Sequence, residues 1–143
     1  MNESQKIQIK SAPRREAIVP KDMKDIPEKF HYSPGVKAGP FLFIAGQVGR
    51  DENMKVIEGK EEQMAQAFEN VKKVLSEAGV SFDDVVEMVT YLTDMRDLQL
   101  LMKVKDRYFT NLESLPTWTA IGTTVLANPG LFVEVKCTAL LPG

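Results

Sequence analysis

The sequence is short of the residues on which most enzymes rely. Its 143 residues include one histidine, His31, one cysteine, Cys137, and one tryptophan, Trp118. One His and one Cys leave no set of soft ligands for a zinc site within a single chain, so no metal is expected. A Ser-His-Asp triad would have to use His31, and no Gly-x-Ser-x-Gly nucleophile elbow is present. The glycine-flanked stretch 49–60 lacks P-loop spacing, and no dinucleotide fingerprint occurs. A lone cysteine forms no internal disulfide, which fits a reducing compartment, with the cytoplasm as the default. No run approaches the ~18 apolar residues of a membrane span. The opening stretch MNESQKIQIK lacks the apolar segment of a signal peptide. A cytoplasmic chain with no membrane partner is therefore expected.

An excess of positive charge is missing too. Eighteen Lys and Arg face 20 Asp and Glu, for a formal net charge of -2 and a pI of about 5.5. Dedicated nucleic-acid binders usually carry a basic excess, so a nucleic-acid partner is not expected. Chemistry has to rest on backbone groups, hydroxyls, carboxylates or a site shared between subunits, and no cofactor is expected.

What is present suits one folded domain. Hydrophobic residues make up 43 % of the chain, and a chain of this length buries roughly two thirds of its unfolded surface. Residues 1–29 are polar, with Pro13, Pro20 and Pro27. They read as an extended arm, with a short strand at Lys6–Lys10, ahead of a domain spanning 30–143. In that arm Arg14 and Arg15 read as solvated charges. Lys37-Ala38-Gly39-Pro40 is a turn signal before the apolar run Phe41–Ala45. Between Lys60 and Ala78, apolar residues recur at Met64, Ala67, Phe68, Val71, Val74 and Leu75, one face of a helix. Val85–Thr93 reads as a strand, and Asp94 or Asp97 as the cap of a second helix reaching about Phe109. Thr117–Val125 and Leu131–Leu140 read as two more strands, and Phe132–Ala139 alternates cleanly between apolar and polar.

The expected fold is α+β, a mixed sheet with two helices packed on one face. The other face would expose apolar strand residues, and an exposed patch of that size on a single chain indicates oligomerisation.

With these elements in order, the chain resembles the RidA/YjgF family, formerly called endoribonuclease L-PSP or translation inhibitor. The resemblance rests on Tyr32-Ser33-Pro34-Gly35-Val36-Lys37-Ala38-Gly39 and Leu42-Phe43-Ile44-Ala45-Gly46-Gln47. Gln66-x-x-x-Asn70-Val71, Val89-Thr90-Tyr91-Leu92-Thr93-Asp94-Met95 and Leu115-Pro116 extend it to about three quarters of the chain. It implies a chorismate-mutase-like fold, a homotrimer, and three ligand sites at the subunit clefts. It also implies hydrolysis of 2-aminoacrylate-type enamines and imines to 2-oxo acids. The family hallmark is a Pro-x-Arg-x-x-x-Glu-like stretch whose Arg clamps the substrate carboxylate; a planar guanidinium holds a carboxylate by two parallel charge-assisted bonds.

This chain departs from that hallmark. Pro116-Thr117-Trp118-Thr119-Ala120-Ile121-Gly122 puts Trp118 at the Arg position, Ala120 at the position usually held by Cys and Gly122 at the Glu position. Met102 stands where the preceding helix often carries a pocket Asn. Trp118, Ala120 and Gly122 alternate onto one strand face, and Trp118 either fills the old pocket or lines a reshaped one. Tyr32, Gly46 and the backbone around Ala45–Gln47 remain of the family pocket. Arg50 and Arg107 are the nearest candidates for a replacement cation, and His31 is a candidate for acid–base work.

The candidate cleft residues are thus Tyr32, Gly46, Met102, Trp118, Ala120 and Gly122, with the catalytic residue unassigned. The expected function is a trimer that binds a small metabolite, with deaminase-type hydrolysis of an enamine, imine or related C–N bond weakened by loss of the clamp. A non-catalytic metabolite- or partner-binding trimer is the alternative. Endoribonuclease or translation-inhibitor activity is a third.

Overall fold

The computed structural model describes residues 14–143. The element order is β1 (Glu16–Ile18), α1 (Ile26–Phe30), β2 (Gly35–Ala38), β3 (Phe41–Val48), α2 (Lys60–Glu77), β4 (Val85–Leu92), α3 (Leu98–Lys105), β5 (Thr117–Gly122) and β6 (Val133–Leu140). The strands form one six-stranded sheet in the order β1-β2-β3-β6-β4-β5. Every pairing is antiparallel except β4 with β5, which the α3 crossover makes parallel.

The amphipathic pattern of α2 explains its place. Met64, Ala67, Phe68, Val71, Val74 and Leu75 are fully buried against Leu42, Ile44, Val135 and Cys137 on the same side of the sheet. Each large side chain so buried contributes about 1.5–3 kcal/mol relative to exposure. Helix α3 adds Leu101 and Val104 to this core. The core closes at one end with aromatics: Phe68 stacks on Tyr108 with centroids 5.0 Å apart, and Phe82 meets Phe109 at 5.1 Å. Burial pushes the Tyr108 hydroxyl up to about 12.

Among the described residues, no helix packs on the opposite face of the sheet. Phe41, Phe43, Ile121 and Leu140 are all more than a third exposed there. Register puts Phe41 beside Leu140 and Ile121 beside Tyr91, so these side chains share that face.

Three features differ from the sequence reading. Residues 16–29, read as part of an extended arm, carry β1 and most of α1, so the described residues form three α-helices rather than two. Strand β1 adds to the sheet edge through Ala17 opposite Val36, and α1 starts with Pro27 in its first turn. A proline there fits a helix start because its missing N–H would be unpaired anyway. Helix α3 ends at Lys105, and β5 at Gly122 rather than Val125. The strand read at Lys6–Lys10 lies outside the described residues.

Candidate functional site

The chain leaves α1 through His31, whose φ of 62° and ψ of 38° form a left-handed helix end. That turn sends Phe30 and Tyr32, on either side of the exposed His31, into the same cleft. Strand β3 then carries a bulge. Ile44 pairs with Cys137 and Gln47 with Val135, so Ala45 and Gly46 together oppose Lys136. A bulge bends a strand and re-aims its side chains. Ala45 N–H donates to Pro34 O at 2.9 Å, which ties the bulge to the segment after Tyr32.

The bulge opens one wall of a cleft of about 510 Å³ at the end of the helix-free sheet face. Tyr32, Gly46, Arg50, Asn128 and Glu134 line it with Phe30, Ala45, Val48 and Ala127. The side chain of Glu134, on β6, lies over Gly46, where there is no Cβ to obstruct it. Glu134 is half-buried, and this loss of solvent raises its carboxyl above the usual range, with the nearby Arg50 charge opposing. An adjoining hollow of about 30 Å³ behind Tyr32 and Arg50 has room for little more than a water molecule.

Arg50 is held from several sides. Asn70 is buried and donates through Nδ2 to Val48 O and Arg50 O, both at 2.9 Å. The Arg50 guanidinium lies 5.5 Å from the Phe30 ring centroid and donates to Asn128 Oδ1 at 3.2 Å. Gln63 ties together the two loops that carry Arg50 and Asn128. It donates to Ile57 O and Gly130 O and accepts from Phe132 N–H.

Of the six cleft residues expected from sequence, Tyr32 and Gly46 meet here. Trp118, Ala120 and Gly122 lie elsewhere, on edge strand β5, with β6 and β4 between it and β3. Register sets them beside Met88, Thr90 and Leu92, which are all buried on the helix side. Trp118 packs against the core, and its Nε1–H donates to Thr90 Oγ1 at 2.9 Å. Lys105 is buried with its Nζ 5.2 Å from the Trp118 ring and 5.4 Å from the Phe109 ring. Met102 is exposed on α3. Within one chain the two groups of residues do not meet. Of the two candidate cations, Arg50 lines the cleft, whereas Arg107 is engaged by Glu61.

A bulged glycine under a half-buried carboxyl, in a cleft that a tyrosine also lines, on a six-stranded sheet backed by α2 and α3, can be compared with known proteins. The family model described as "Endoribonuclease L-PSP" matches residues 23–141. The chain belongs to the RidA/YjgF, or endoribonuclease L-PSP, family. It is 33 % identical over 129 residues to "RutC family protein YjgH" of Escherichia coli, covering 90 % of this chain and 96 % of that one. A solved structure titled "Structural Genomics, Protein YJGH" matches with a TM-score of 0.82 at 32 % identity, over 91 % of this chain and 98 % of that chain. The crystal structure of RidA from an Antarctic Psychrobacter gives a TM-score of 0.72 at 33 % identity, over 77 % and 88 % of the two chains. "Protein mmf1, mitochondrial" of Schizosaccharomyces pombe is 32 % identical over 110 residues, 76 % of this chain and 67 % of that one.

Family membership accounts for the mixed sheet with helices on one side. Tyr32 and Gly46 stand in the cleft, and Trp118, Ala120 and Gly122 stand on β5. Sequence reading passed over Glu134. Its signal was a lone acid at a polar position of β6, and alternation names the face of such a residue without naming its neighbour across the sheet. Among the described residues, no cluster of three or more His, Cys, Asp or Glu side chains has a metal-binding arrangement. No described helix is long and apolar enough to cross a membrane.

Proposed function

We propose that this RidA/YjgF-family chain works as a homotrimer. Each cleft at Tyr32, Gly46 and Glu134 binds a small metabolite and is completed by the Trp118–Gly122 edge of the next copy. The observation that carries the reading is the half-buried Glu134 carboxyl, raised by desolvation and lying over Gly46 in a cleft that Tyr32 also lines. A cleft carboxyl whose protonated form is favoured by burial is a candidate for giving and taking a proton. The helix-free apolar sheet face supports the assembly, because a second copy is what would cover it.

The reaction that suits this geometry is hydrolysis of an enamine or imine. An enamine takes a proton on carbon, gives one up from nitrogen and becomes an imine. Water adds to the C=N carbon while Glu134 takes one of its protons and hands it to the nitrogen, giving a carbinolamine. Glu134 then carries the hydroxyl proton to the same nitrogen, and the C–N bond breaks to release ammonia as the carbonyl forms. Tyr32 O–H orients the water or the carbonyl oxygen. No metal or cofactor enters this scheme. The lone buried Cys137, its thiol pushed up to about 12 by burial, is suited to a reducing compartment, the cytosol or a mitochondrial matrix.

One observation favours a binding role without turnover: the Trp118 indole N–H at the old clamp position is already used by Thr90. The test is decay of an imine generated in situ by an amino-acid oxidase, with wild type and Glu134→Gln run side by side. Faster decay with wild type alone supports hydrolysis. Binding of the product oxo acid without faster decay supports the non-catalytic trimer. RNA cleavage that survives in Glu134→Gln would point instead to the family's ribonuclease description.

A further inference from the structure

We propose that Arg50 is the anion anchor of this cleft, and that the ligand it selects is a monocarboxylate with an apolar body. This rests on the reading of the cleft as a metabolite site, and it assigns that site the charge recognition that Trp118 cannot supply.

The arginines of the chain are not alike. Arg96 is fully engaged by Asp94, through Nε and Nη2 at 2.8–3.1 Å, and Arg107 is engaged by Glu61. Arg14 and Arg15 are exposed ahead of β1. Arg50 is half-buried, lines the cleft, and among the described residues has no carboxylate within 4.0 Å of its guanidinium. Its one side-chain hydrogen bond among them goes to the neutral Asn128 Oδ1. A guanidinium carries five N–H donors in a planar fork, so most of this one's donors have no partner among the described residues.

The group is also pre-positioned. The Phe30 ring lies under the guanidinium, Asn128 holds one nitrogen, and Asn70 fixes the Arg50 backbone. Less side-chain freedom is then lost on binding.

Charge and shape narrow the ligand. Arg50 is the one cation among the cleft-lining residues, and Glu134 shares the space with it. A phosphate dianion would find a single cation and an acidic neighbour. A carboxylate matches the planar fork with one charge. The remaining walls at Phe30, Ala45, Val48 and Ala127 are apolar and suit an aliphatic or aromatic body. A carboxylate on Arg50 would also lie in the same cleft as the Glu134 carboxyl, so that anchor and proton-transfer group come from one chain.

Two probes with one apolar body separate the charge from the shape: 4-methyl-2-oxopentanoate, and the neutral ketone 4-methylpentan-2-one, which has a methyl in place of the carboxylate. Binding is followed by NMR titration of the full-length protein. The oxo acid is expected to bind wild type at least about tenfold more tightly than the ketone, the share of affinity a charge-assisted pair supplies. Arg50→Met keeps the stem and should bring the two within about twofold of each other, which ordinary scatter in such titrations allows. Arg50→Lys keeps the charge without the fork and should retain part of the preference. Arg107→Met should retain all of it.

If wild type binds both probes equally, or if Arg50→Met keeps the full preference, Arg50 is not the anchor, while the cleft reading stands. If neither probe binds wild type, the cleft reading fails and Arg50's role fails with it.

Discussion

The carboxyl of Glu134 occupies the space that a side chain at position 46 would fill. A Cβ built on Gly46 would stand 2.7 Å from Glu134 Cδ and 2.9 Å from Cγ. The obstacle is the far end of a flexible side chain, so Gly46→Ala should fold with Glu134 swung aside. The expected stability loss is below about 1 kcal/mol, since a mobile tip can yield. Imine hydrolysis should fall at least about tenfold, because a misplaced acid–base group loses much of its contribution. Thermal melts and the oxidase-coupled assay read the two effects separately; equal losses in both would argue against a local role.

Glu134 also sets a pH dependence of stability. Desolvation raises its carboxyl in the folded protein, with Arg50 opposing. The folded state therefore binds more protons than the unfolded state between the ordinary and the raised value. Stability contributed by this group is present below the ordinary carboxylate value and is lost as pH rises through the raised one. Glu134→Gln should remove that part of the decline, so its melting temperature at neutral pH should equal or exceed that of wild type while hydrolysis is lost. Melting curves taken at several pH values check it; a variant less stable than wild type at neutral pH would contradict the sign.

Restoring the family clamp by itself should fail. In Trp118→Arg the guanidinium would enter the space next to the buried Lys105, which now sits against the Trp118 and Phe109 rings. Two cations at close range with little water repel, and the Nε1 bond to Thr90 is lost as well. A destabilisation of about 1–3 kcal/mol is expected, with little gain in imine turnover. Denaturant unfolding measures the first, and a fully stable, highly active variant would contradict the account.

The loops around the cleft depend on Gln63. Its side chain donates to Ile57 O and Gly130 O and accepts from Phe132 N–H, all from a fully buried position. Gln63→Leu keeps the volume and strands these backbone groups, at about 1–3 kcal/mol for each one left without water. A loss of at least about 2 kcal/mol is expected in denaturant unfolding, together with weaker binding of 4-methyl-2-oxopentanoate as Arg50 and Asn128 drift apart.

Much of this fold is legible one element at a time. The period of Met64, Ala67, Phe68, Val71 and Val74 marks α2, and the alternation of Val133, Val135 and Cys137 marks β6, because each pattern reports which side of its own element is buried. Glu134 was not legible as a site residue. Its partner Gly46 is nearly ninety positions away, and only the pairing of β3 with β6 and the bulge at Ala45–Gly46 brings them together. Arg50 stood out as a charge, but its separation from Arg107 depends on Glu61 holding the latter. The fold of residues 16–30 was hidden by polar composition, since β1 gains its place from backbone pairing with β2 and buries little besides Ile18.

In the proposed assembly, Trp118, Ala120 and Gly122 of a second copy complete the cleft that Tyr32, Gly46 and Glu134 line within each chain. Sedimentation equilibrium of the wild-type protein at micromolar concentration tests this most directly. The account predicts one species of three times 16.0 kDa, and dissociation on Phe43→Glu, which places a charge on the helix-free sheet face. A stable wild-type monomer of 16.0 kDa would contradict it.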